Sequence, residues 1–160
     1  MSSGVKKTNA MRMLDSAKIP YEVRTYEFEE TDLAGIHAAD AVGMPYEAVF
    51  KNFVARAVKT GFVVFCIPVA EELDLKKAAR ASKNKSVELL HVKDLLPTTG
   101  YIRGGCSPVG MKKEFPTYID ETAMLFDAIA VSGGMRGVQL IVNPDQLLGF
   151  VKGEYVDLTA

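Results

Sequence analysis

The apolar run FVVFCIPVA at residues 62–70 constrains the fold more than any other stretch of this sequence. It is about half the length of a membrane-spanning helix. Its β-branched and aromatic residues favour a strand buried on both faces. The segment EAVFKNFVARAV at 47–58 precedes it, and the turn residues KTG separate the two. The pattern predicts an antiparallel hairpin whose second strand lies inside the sheet.

The rest of the chain alternates between short strand and helix patterns without a regular strand–helix–strand repeat. Helices are predicted at 5–17, at GIHAADAVG, which Gly43 closes, and at VKDLLP, which ends at its proline. A further helix, LKKAARAS, is predicted to follow an N-cap at Asp74, with Leu75, Ala78 and Ala79 facing the core. The last predicted helix is PDQLLGFV, which begins at Pro144. Strands are predicted at YEVRTYEF, SVELLH, TGYIR, TYID and EYVDL, with a second hairpin formed by AIAVSGG and GVQLIVN. This order predicts an α+β fold with a mixed, barrel-like sheet in a single domain spanning 1–160.

Composition limits the classes of partner. The 160 residues carry a net charge of −1, and 48% of them are hydrophobic. Proteins that grip long nucleic acids by their phosphates are normally strongly basic. If this chain touches nucleic acid at all, we therefore expect it to touch a short end or to rely on a partner that brings it. The polar N-terminus and the two scattered cysteines predict a cytoplasmic protein with no membrane span, no disulfide framework, no structural metal and no cofactor.

The stretch GGCSPVGMKK at 104–113 suggests an anion-binding loop. It is not a Walker motif, because Met111 stands where the lysine should be and no hydroxyl follows Lys113. What remains is a turn with backbone N–H groups at Gly104 and Gly105 and a small hydroxyl at Ser107. Such a turn can hold a carbonyl or phosphate oxygen. It can equally be a structural turn.

Lys51 lies in VFKNFV, on a strand face that it shares with Phe53 and Ala55. A lysine on an apolar face is usually an edge residue whose stem packs while its ammonium reaches water. The alternative is a lysine pointing into a pocket, where it binds a carbonyl, carboxylate or phosphate group.

Three further features have two interpretations each. Cys106 could be a nucleophile, but the sequence shows no histidine obviously placed to activate it, which favours a small apolar role. SGGMRG at 132–137 predicts a hairpin turn that could also place Ser132, Gly133 and Arg136 beside the first loop. Tyr26 is either a pocket wall or a surface tyrosine.

Taken together, these stretches resemble the YbaK/EbsC family of trans-editing proteins, which is related to the insertion domain of bacterial prolyl-tRNA synthetases. The resemblance rests on TYEF at 25–28, VFKNFV at 49–54, PVAEELDLKKAA at 68–79, TGYIRGGCSPVGMKK at 99–113, PTYID at 116–120 and VSGGMRG at 131–137. It implies a six- or seven-stranded mixed, barrel-like sheet surrounded by short helices, with a pocket for the aminoacylated 3′ end of a tRNA.

The resemblance also implies roles for single residues. Lys51 is the residue tied most closely to activity, while Tyr26, Gly104, Gly105 and Ser132 line the pocket. Gln139 stands where close members have an acidic residue, Asn52 where threonine is common, and Cys106 where an aliphatic residue is frequent. These departures bear on the preferred amino acid.

The implied activity is deacylation of mischarged Cys-tRNA(Pro) in trans, together with prolyl-tRNA synthetase. The substrate's own thiol would attack the ester carbonyl, so the protein needs no nucleophile. The alternatives are editing of alanine or serine by water attack, a non-catalytic module that binds a nucleotide or tRNA end, and a structural domain.

Overall fold

A computed structural model describes residues 6–27, 42–57, 59–102 and 105–160. The strands are β1 Tyr21–Thr25, β2 Phe50–Ala57, β3 Gly61–Pro68, β4 Val87–Leu89, β5 Thr117–Asp120, β6 Ile129–Ser132, β7 Val138–Val142 and β8 Glu154–Val156. The α-helices are α1 Asn9–Ser16, α2 Leu75–Ala81, α3 Val92–Thr99 and α4 Pro144–Val151. Two 3₁₀ helices, Tyr46–Ala48 and Glu121–Leu125, complete the regular structure of these ranges.

The strands form two sheets that meet near the start of β2. The first has the order β1-β7-β6 and is antiparallel throughout. The second has the order β4-β2-β3-β5-β8, and it is mixed because β5 pairs in parallel with both β3 and β8. A parallel bridge between Val49 and Ala130 joins the two sheets.

The predicted α+β class with a mixed sheet is confirmed. The described ranges contain eight strands rather than six or seven, since three-residue β4 and β8 extend the edges of the second sheet. Pairing among the described residues does not close the strands into a barrel.

The predicted hairpin is confirmed and forms the centre of the second sheet. β2 and β3 are antiparallel, with Lys51 opposite Ile67 and Asn52 opposite Cys66. β3 lies between β2 and β5, and every residue from Val63 to Pro68 is buried. A strand in this position has both faces covered, which explains its continuous apolar sequence.

In the described ranges, α1, α2 and α4 each begin at a residue whose side chain caps the helix. The Thr8 side chain accepts a hydrogen bond from the Met11 N–H, so α1 begins at Asn9 rather than at residue 5. Asp74 caps α2 as predicted and accepts from the N–H groups of Lys76 and Lys77. Leu75 does not face the core as predicted; it is 44% exposed, because α2 buries Ala78 and Ala79 instead.

Two local predictions around α3 are wrong. The helix does not end at Pro97 but continues to Thr99, with Gly100 as a left-handed C-cap. TGYIR does not form a strand, because the Tyr101 backbone N–H bonds to the Thr99 hydroxyl rather than to a neighbouring strand. The second predicted hairpin is confirmed as β6–β7, and α4 begins at Pro144 as predicted.

The predicted helix GIHAADAVG lies largely outside the described residues; Gly43, at its end, has the predicted positive φ of 73°. In the described ranges, the helices are too short or too polar to cross a bilayer.

Candidate functional site

Lys51 lies where the two sheets meet. β4 pairs only with the C-terminal end of β2, at residues 55–57. The N-terminal end of β2 lies beside β6 instead. The Lys51 side chain is half-buried, its Nζ donates to the Val69 carbonyl oxygen at 3.0 Å, and it lies 5.5 Å from the centre of the Phe53 ring. The ammonium is therefore held in place at an interior junction and not at a free sheet edge.

Burial lowers the pKa of Lys51 below its ordinary value of 10.5, while the nearby carboxylates of Glu72 and Glu71 oppose this shift. An ammonium carries three N–H donors, of which the contact with the Val69 carbonyl occupies one. The remaining donors can bind an oxygen of a ligand. The half-buried position strengthens such a contact, since water competes less for it.

Ser132 is brought to the same place by strand register. The parallel bridge pairs Val49 with Ala130, and β2 lies against β6 there, so the same register continued by two residues would bring Lys51 level with Ser132. In parallel pairing, side chains at equivalent positions project from the same face of the sheet. The Ser132 hydroxyl oxygen accepts a hydrogen bond from the Gly134 N–H at 3.2 Å, which fixes the start of the β6–β7 turn.

The β6–β7 turn depends on its glycines. The Gly133 N–H donates to the Val138 carbonyl at 2.9 Å, and a Cβ on Gly133 would lie 2.6 Å from a Val138 methyl group. Gly134 and Gly137 have φ values of 100° and 82°. The hairpin-turn interpretation is therefore confirmed. Arg136 lies in this turn and is half-buried.

Tyr26 borders the same region. Its N–H donates to the Gly137 carbonyl at 3.0 Å, which extends the β1–β7 pairing to the turn. Its side chain is half-buried against the cluster of Val42, Val49, Val69 and Ala130. Because Val69 also supplies the carbonyl that binds Lys51, the tyrosine packs beside the lysine's anchor.

The glycine loop contacts the β6–β7 turn at Gly105. A Cβ on Gly105 would lie 3.0 Å from the Met135 Cα and 3.2 Å from the Arg136 nitrogen, so a larger residue would press against the backbone of the turn. The Gly105 N–H already donates to the Ile102 carbonyl at 3.0 Å. Gly105 therefore provides room for the turn rather than a donor for a ligand. Gly104 lies outside the described residues.

Ser107 is fully buried, and its hydroxyl oxygen accepts from the Val109 N–H at 3.2 Å. Its side chain shapes the loop from within. Lys112 and Lys113 are exposed at the end of the loop. The Lys112 side chain runs over Gly100 towards the Pro97 carbonyl.

Cys106 and Asn52 belong to the opposite face of β2 from Lys51, because neighbouring strand residues point to opposite faces. The Asn52 Nδ2 lies 3.5 Å from the Cys106 Sγ, and Cys106 packs with Val54, Val64 and Tyr101. Burial raises the pKa of the Cys106 thiol, against the effect of contacts with Asn52 and Thr99. A thiol kept protonated is a poor nucleophile, which favours the apolar role.

Two contributors to this region were not predicted from sequence. The Val69 carbonyl is a backbone group, which residue patterns do not reveal. Tyr101 links the glycine loop at 104–113 to the β6–β7 turn at 132–137, the two glycine clusters of this region. Its hydroxyl donates to the Val109 carbonyl at 2.6 Å, and its ring lies against Gly134. The position of this tyrosine beside a glycine-rich loop is the available signal, although the sequence pattern predicts a strand at TGYIR. Within the described ranges, no three potential metal-ligating side chains lie together.

Comparison with known proteins now defines the family. Residues 32–150 match the aminoacyl-tRNA editing domain family. The chain belongs to this family. It is 49% identical over 154 residues to EbsC of Enterococcus faecalis, provisionally named a Cys-tRNA(Pro)/Cys-tRNA(Cys) deacylase, with 96% of this chain and 94% of EbsC covered. The predicted family resemblance and the assignment as an aminoacyl-tRNA deacylase are thus confirmed.

More distant proteins share the fold. YwhH of Bacillus subtilis is 23% identical over 78% of each chain. A crystal structure provisionally described as a trans-editing enzyme for prolyl-tRNA synthetase superposes with a TM-score of 0.81 at 23% identity, covering 98% of this chain and 99% of that one. At this identity the structural likeness supports the architecture alone.

Proposed function

We propose that this editing domain deacylates Cys-tRNA(Pro) in trans, with Lys51 as the catalytic residue. The observation that carries the proposal is the half-buried Lys51 ammonium, held by the Val69 carbonyl at the junction of the sheets, where the Val49–Ala130 bridge joins them. The EbsC relative supports the substrate, since its name specifies cysteinyl-tRNA. Tyr26 and the turn containing Gly133 and Arg136 would form the walls of the pocket.

The chemistry needs orientation and charge stabilisation more than it needs a protein nucleophile. An aminoacyl ester is already activated, and Lys51 would stabilise the negative charge that develops on its carbonyl oxygen. The substrate thiol attacks the carbonyl carbon and forms the C–S bond of a thiolactone. The ester C–O bond breaks, and the proton lost by the thiol ends on the departing ribose oxygen. The buried, protonated Cys106 is consistent with a site that uses the substrate's own sulfur.

The glycine loop contributes to this site through its shape. Gly105 allows the loop to lie against the backbone of Met135 and Arg136, and the buried Ser107 hydroxyl stabilises the loop internally. We propose that the exposed Lys112 and Lys113 lie nearer the tRNA backbone. Gly104 is proposed as a pocket residue on the family resemblance alone.

The charge of the chain favours action in a larger complex. With a net charge of −1, the domain offers little electrostatic attraction for a whole tRNA. We propose that prolyl-tRNA synthetase with bound tRNA recruits it. The expected result is weak, salt-sensitive binding of free tRNA and tighter binding once the synthetase is present. Tight, salt-insensitive binding of free tRNA would contradict recruitment.

The test is deacylation of Cys-tRNA(Pro) and Ala-tRNA(Pro) by the wild type, Lys51→Ala and the control Lys85→Ala, an exposed lysine outside the site. We expect rapid loss of the cysteinyl ester alone, with Lys51→Ala slower by about 10²–10³-fold and Lys85→Ala unchanged. Cleavage of alanyl-tRNA as well would indicate water as the nucleophile. If neither ester is cleaved even with the synthetase present, while the tRNA end is still bound, the chain is a binding module.

A further inference from the structure

Helix α2 carries three basic residues and no acidic one, in a chain whose net charge is −1. Lys77 is engaged in the fold, because its Nζ pairs with Asp157 at 2.9 Å and donates to the Thr159 carbonyl at 2.7 Å. Lys76 and Arg80 are exposed, and among the described residues neither side chain has an ion-pair or hydrogen-bond partner. These two residues, the α2 basic pair, can therefore bind a ligand.

The stability of the helix does not explain Lys76. It lies in the first turn of α2, where the helix dipole disfavours a positive charge. The Asp74 carboxylate offsets this effect from the N-cap, where it accepts from the backbone N–H groups of Lys76 and Lys77. Arg80 follows Lys76 by four residues, so both project from the same side of the helix, about 6 Å apart along its axis.

α2 covers the face of the second sheet that carries Lys51. The Lys51 Nζ lies 5.5 Å from the centre of the Phe53 ring. Phe53 in turn packs against the core cluster that includes Ala78 and Ala79 of α2. Phe53 therefore belongs both to the surroundings of the candidate catalytic ammonium and to the core beneath the helix.

The path of the chain shows where α2 leads. β3 ends at Pro68, and the next residue, Val69, supplies the carbonyl that holds Lys51. After α2, the Asn84 side chain donates to the hydroxyl of Thr60, which lies in the turn at the other end of the β2–β3 hairpin. α2 therefore runs from the Lys51 end of the hairpin towards its far end.

The charge changes sign along this path. Glu71 and Glu72 precede α2, and their carboxylates counter the lowering of the Lys51 pKa by burial. The α2 basic pair follows them. An aminoacylated tRNA end has the complementary order, since its cationic α-ammonium lies at the tip and its anionic phosphates follow. Phosphate oxygens are contacted in proteins mainly by side chains such as lysine and arginine.

We propose that Lys76 and Arg80 bind phosphate groups of the tRNA acceptor end while the aminoacyl ester lies at Lys51. Arginine offers a planar fork to a phosphate, and lysine offers a compact point charge. This contact is additional to the one proposed for Lys112 and Lys113. The inference rests on the proposed deacylase function for the position of the ester, and it adds a phosphate-binding surface beyond the reacting group.

The first test measures binding of uncharged tRNA(Pro) at several salt concentrations by the wild type and by Lys76→Gln/Arg80→Gln. Loss of two phosphate contacts with a single-stranded end should reduce the slope of log K against log salt concentration by about 1.4. Affinity at low salt should fall by about 3–30-fold, the value of two exposed charge contacts. The melting temperature should stay within about 2 °C of the wild type, because these side chains support no described contact.

The matched control is Lys18→Gln/Lys152→Gln, which removes the same amount of charge. Both lysines are exposed, and they follow α1 and α4, whose buried apolar residues belong to a different core cluster from those of α2. The control should bind tRNA with the affinity and salt slope of the wild type.

The second test separates a phosphate contact from a change in the site itself. Deacylation of Cys-tRNA(Pro) is compared with that of the cysteinyl ester of adenosine, which carries no phosphate. With the tRNA substrate, Lys76→Gln/Arg80→Gln should raise KM by about 3–30-fold and leave kcat nearly unchanged. With the adenosine ester, the double variant and the wild type should have equal kcat/KM.

The outcomes distinguish this proposal from the proposed function. Equal losses of activity on both esters would show that the double substitution distorts the site, and would overturn the phosphate contact. Unchanged tRNA binding, or an equal loss of binding in the control, would overturn it as well. If the wild type cleaves neither ester, the deacylase function fails, and the binding measurement alone decides whether the α2 basic pair contacts tRNA.

Discussion

The two faces of β2 differ although they are built from consecutive residues. Lys51 is half-buried, and its ammonium lies at the junction of the sheets, where β2 runs beside β6. Asn52 points the other way, into a packed cluster with Cys106, Val54 and Tyr101. One face thus carries charge that a ligand can reach, and the other carries polar atoms enclosed by apolar side chains. The difference teaches that a candidate catalytic side chain and a side chain that packs in the interior can be neighbours in sequence, because they project from opposite faces of the strand.

The largest effect should come from the Lys51 face. Lys51→Met keeps an unbranched side chain and removes the ammonium, so deacylation should fall by about 10²–10³-fold. Stability should change little, because burial lowers the pKa of Lys51 and its charge therefore does not favour folding. The measurements are single-turnover deacylation and thermal unfolding, with Lys85→Met as the control. A large loss of stability would show that Lys51 supports the fold instead.

A smaller loss is expected where the two glycine clusters touch. Gly105→Ala places a Cβ 3.0 Å from the Met135 Cα, a backbone atom that cannot move cheaply. We expect a loss of about 1–3 kcal/mol in the free energy of unfolding and a fall in activity of about 10–100-fold, as the turn carrying Ser132 shifts.

Gly149→Ala is the matched control for Gly105→Ala. Nothing lies within 4 Å of a Cβ at Gly149 in α4, so this change should be neutral or stabilising by about 0.5–1 kcal/mol. Full activity in Gly105→Ala would show that the contact between the clusters does not position the site.

Tyr101 should give a weaker effect because it supports the glycine clusters from the enclosed face. Burial raises the pKa of its phenol to about 12, so the hydroxyl remains a donor to the Val109 carbonyl at working pH. Tyr101→Phe leaves that carbonyl without its donor and should cost about 1–3 kcal/mol of stability, with activity reduced by a few-fold. Tyr21→Phe removes an exposed hydroxyl contact with Asp15 and should leave activity unchanged. Activity reduced equally in both variants would refute a specific role for Tyr101.

Prediction from sequence succeeded where local patterns decide the structure. The apolar run at 62–70, the Asp74 cap and Pro144 each act through their own side chains or backbone, and each element forms as predicted. It failed at Pro97 and Tyr101, where the helix end and the missing strand depend on Gly100 and on contacts with the loop.

The sequence suggests candidate residues for the site, which stay predictions, but it does not predict how they are arranged. Strand spacing points to Lys51 and Tyr26, the SGGMRG turn points to Ser132, and the family resemblance includes all three. Their proximity depends on the Val49–Ala130 bridge and on Tyr26 pairing with Gly137, which are long-range backbone contacts. The burial of Ser107 and the engaged N–H of Gly105 likewise follow from how the loop packs, which residue types alone do not determine.

The smallest effect on activity should come from Cys106, and it gives the sharpest test of the difference between the faces. If Cys106 only fills space beside Asn52, Cys106→Ala should keep kcat/KM within about two-fold and cost about 1 kcal/mol of stability. Loss of a true nucleophile lowers kcat by up to about 10⁶-fold, so the two roles are far apart. Alkylation provides an independent measurement: burial raises the pKa of Cys106, and that of Cys66 to about 12, so both thiols should react with iodoacetamide at pH 8 only after unfolding. Rapid labelling of Cys106 in the folded protein, together with loss of activity, would instead place the reacting group on the Asn52 face of β2, where Cys106 packs.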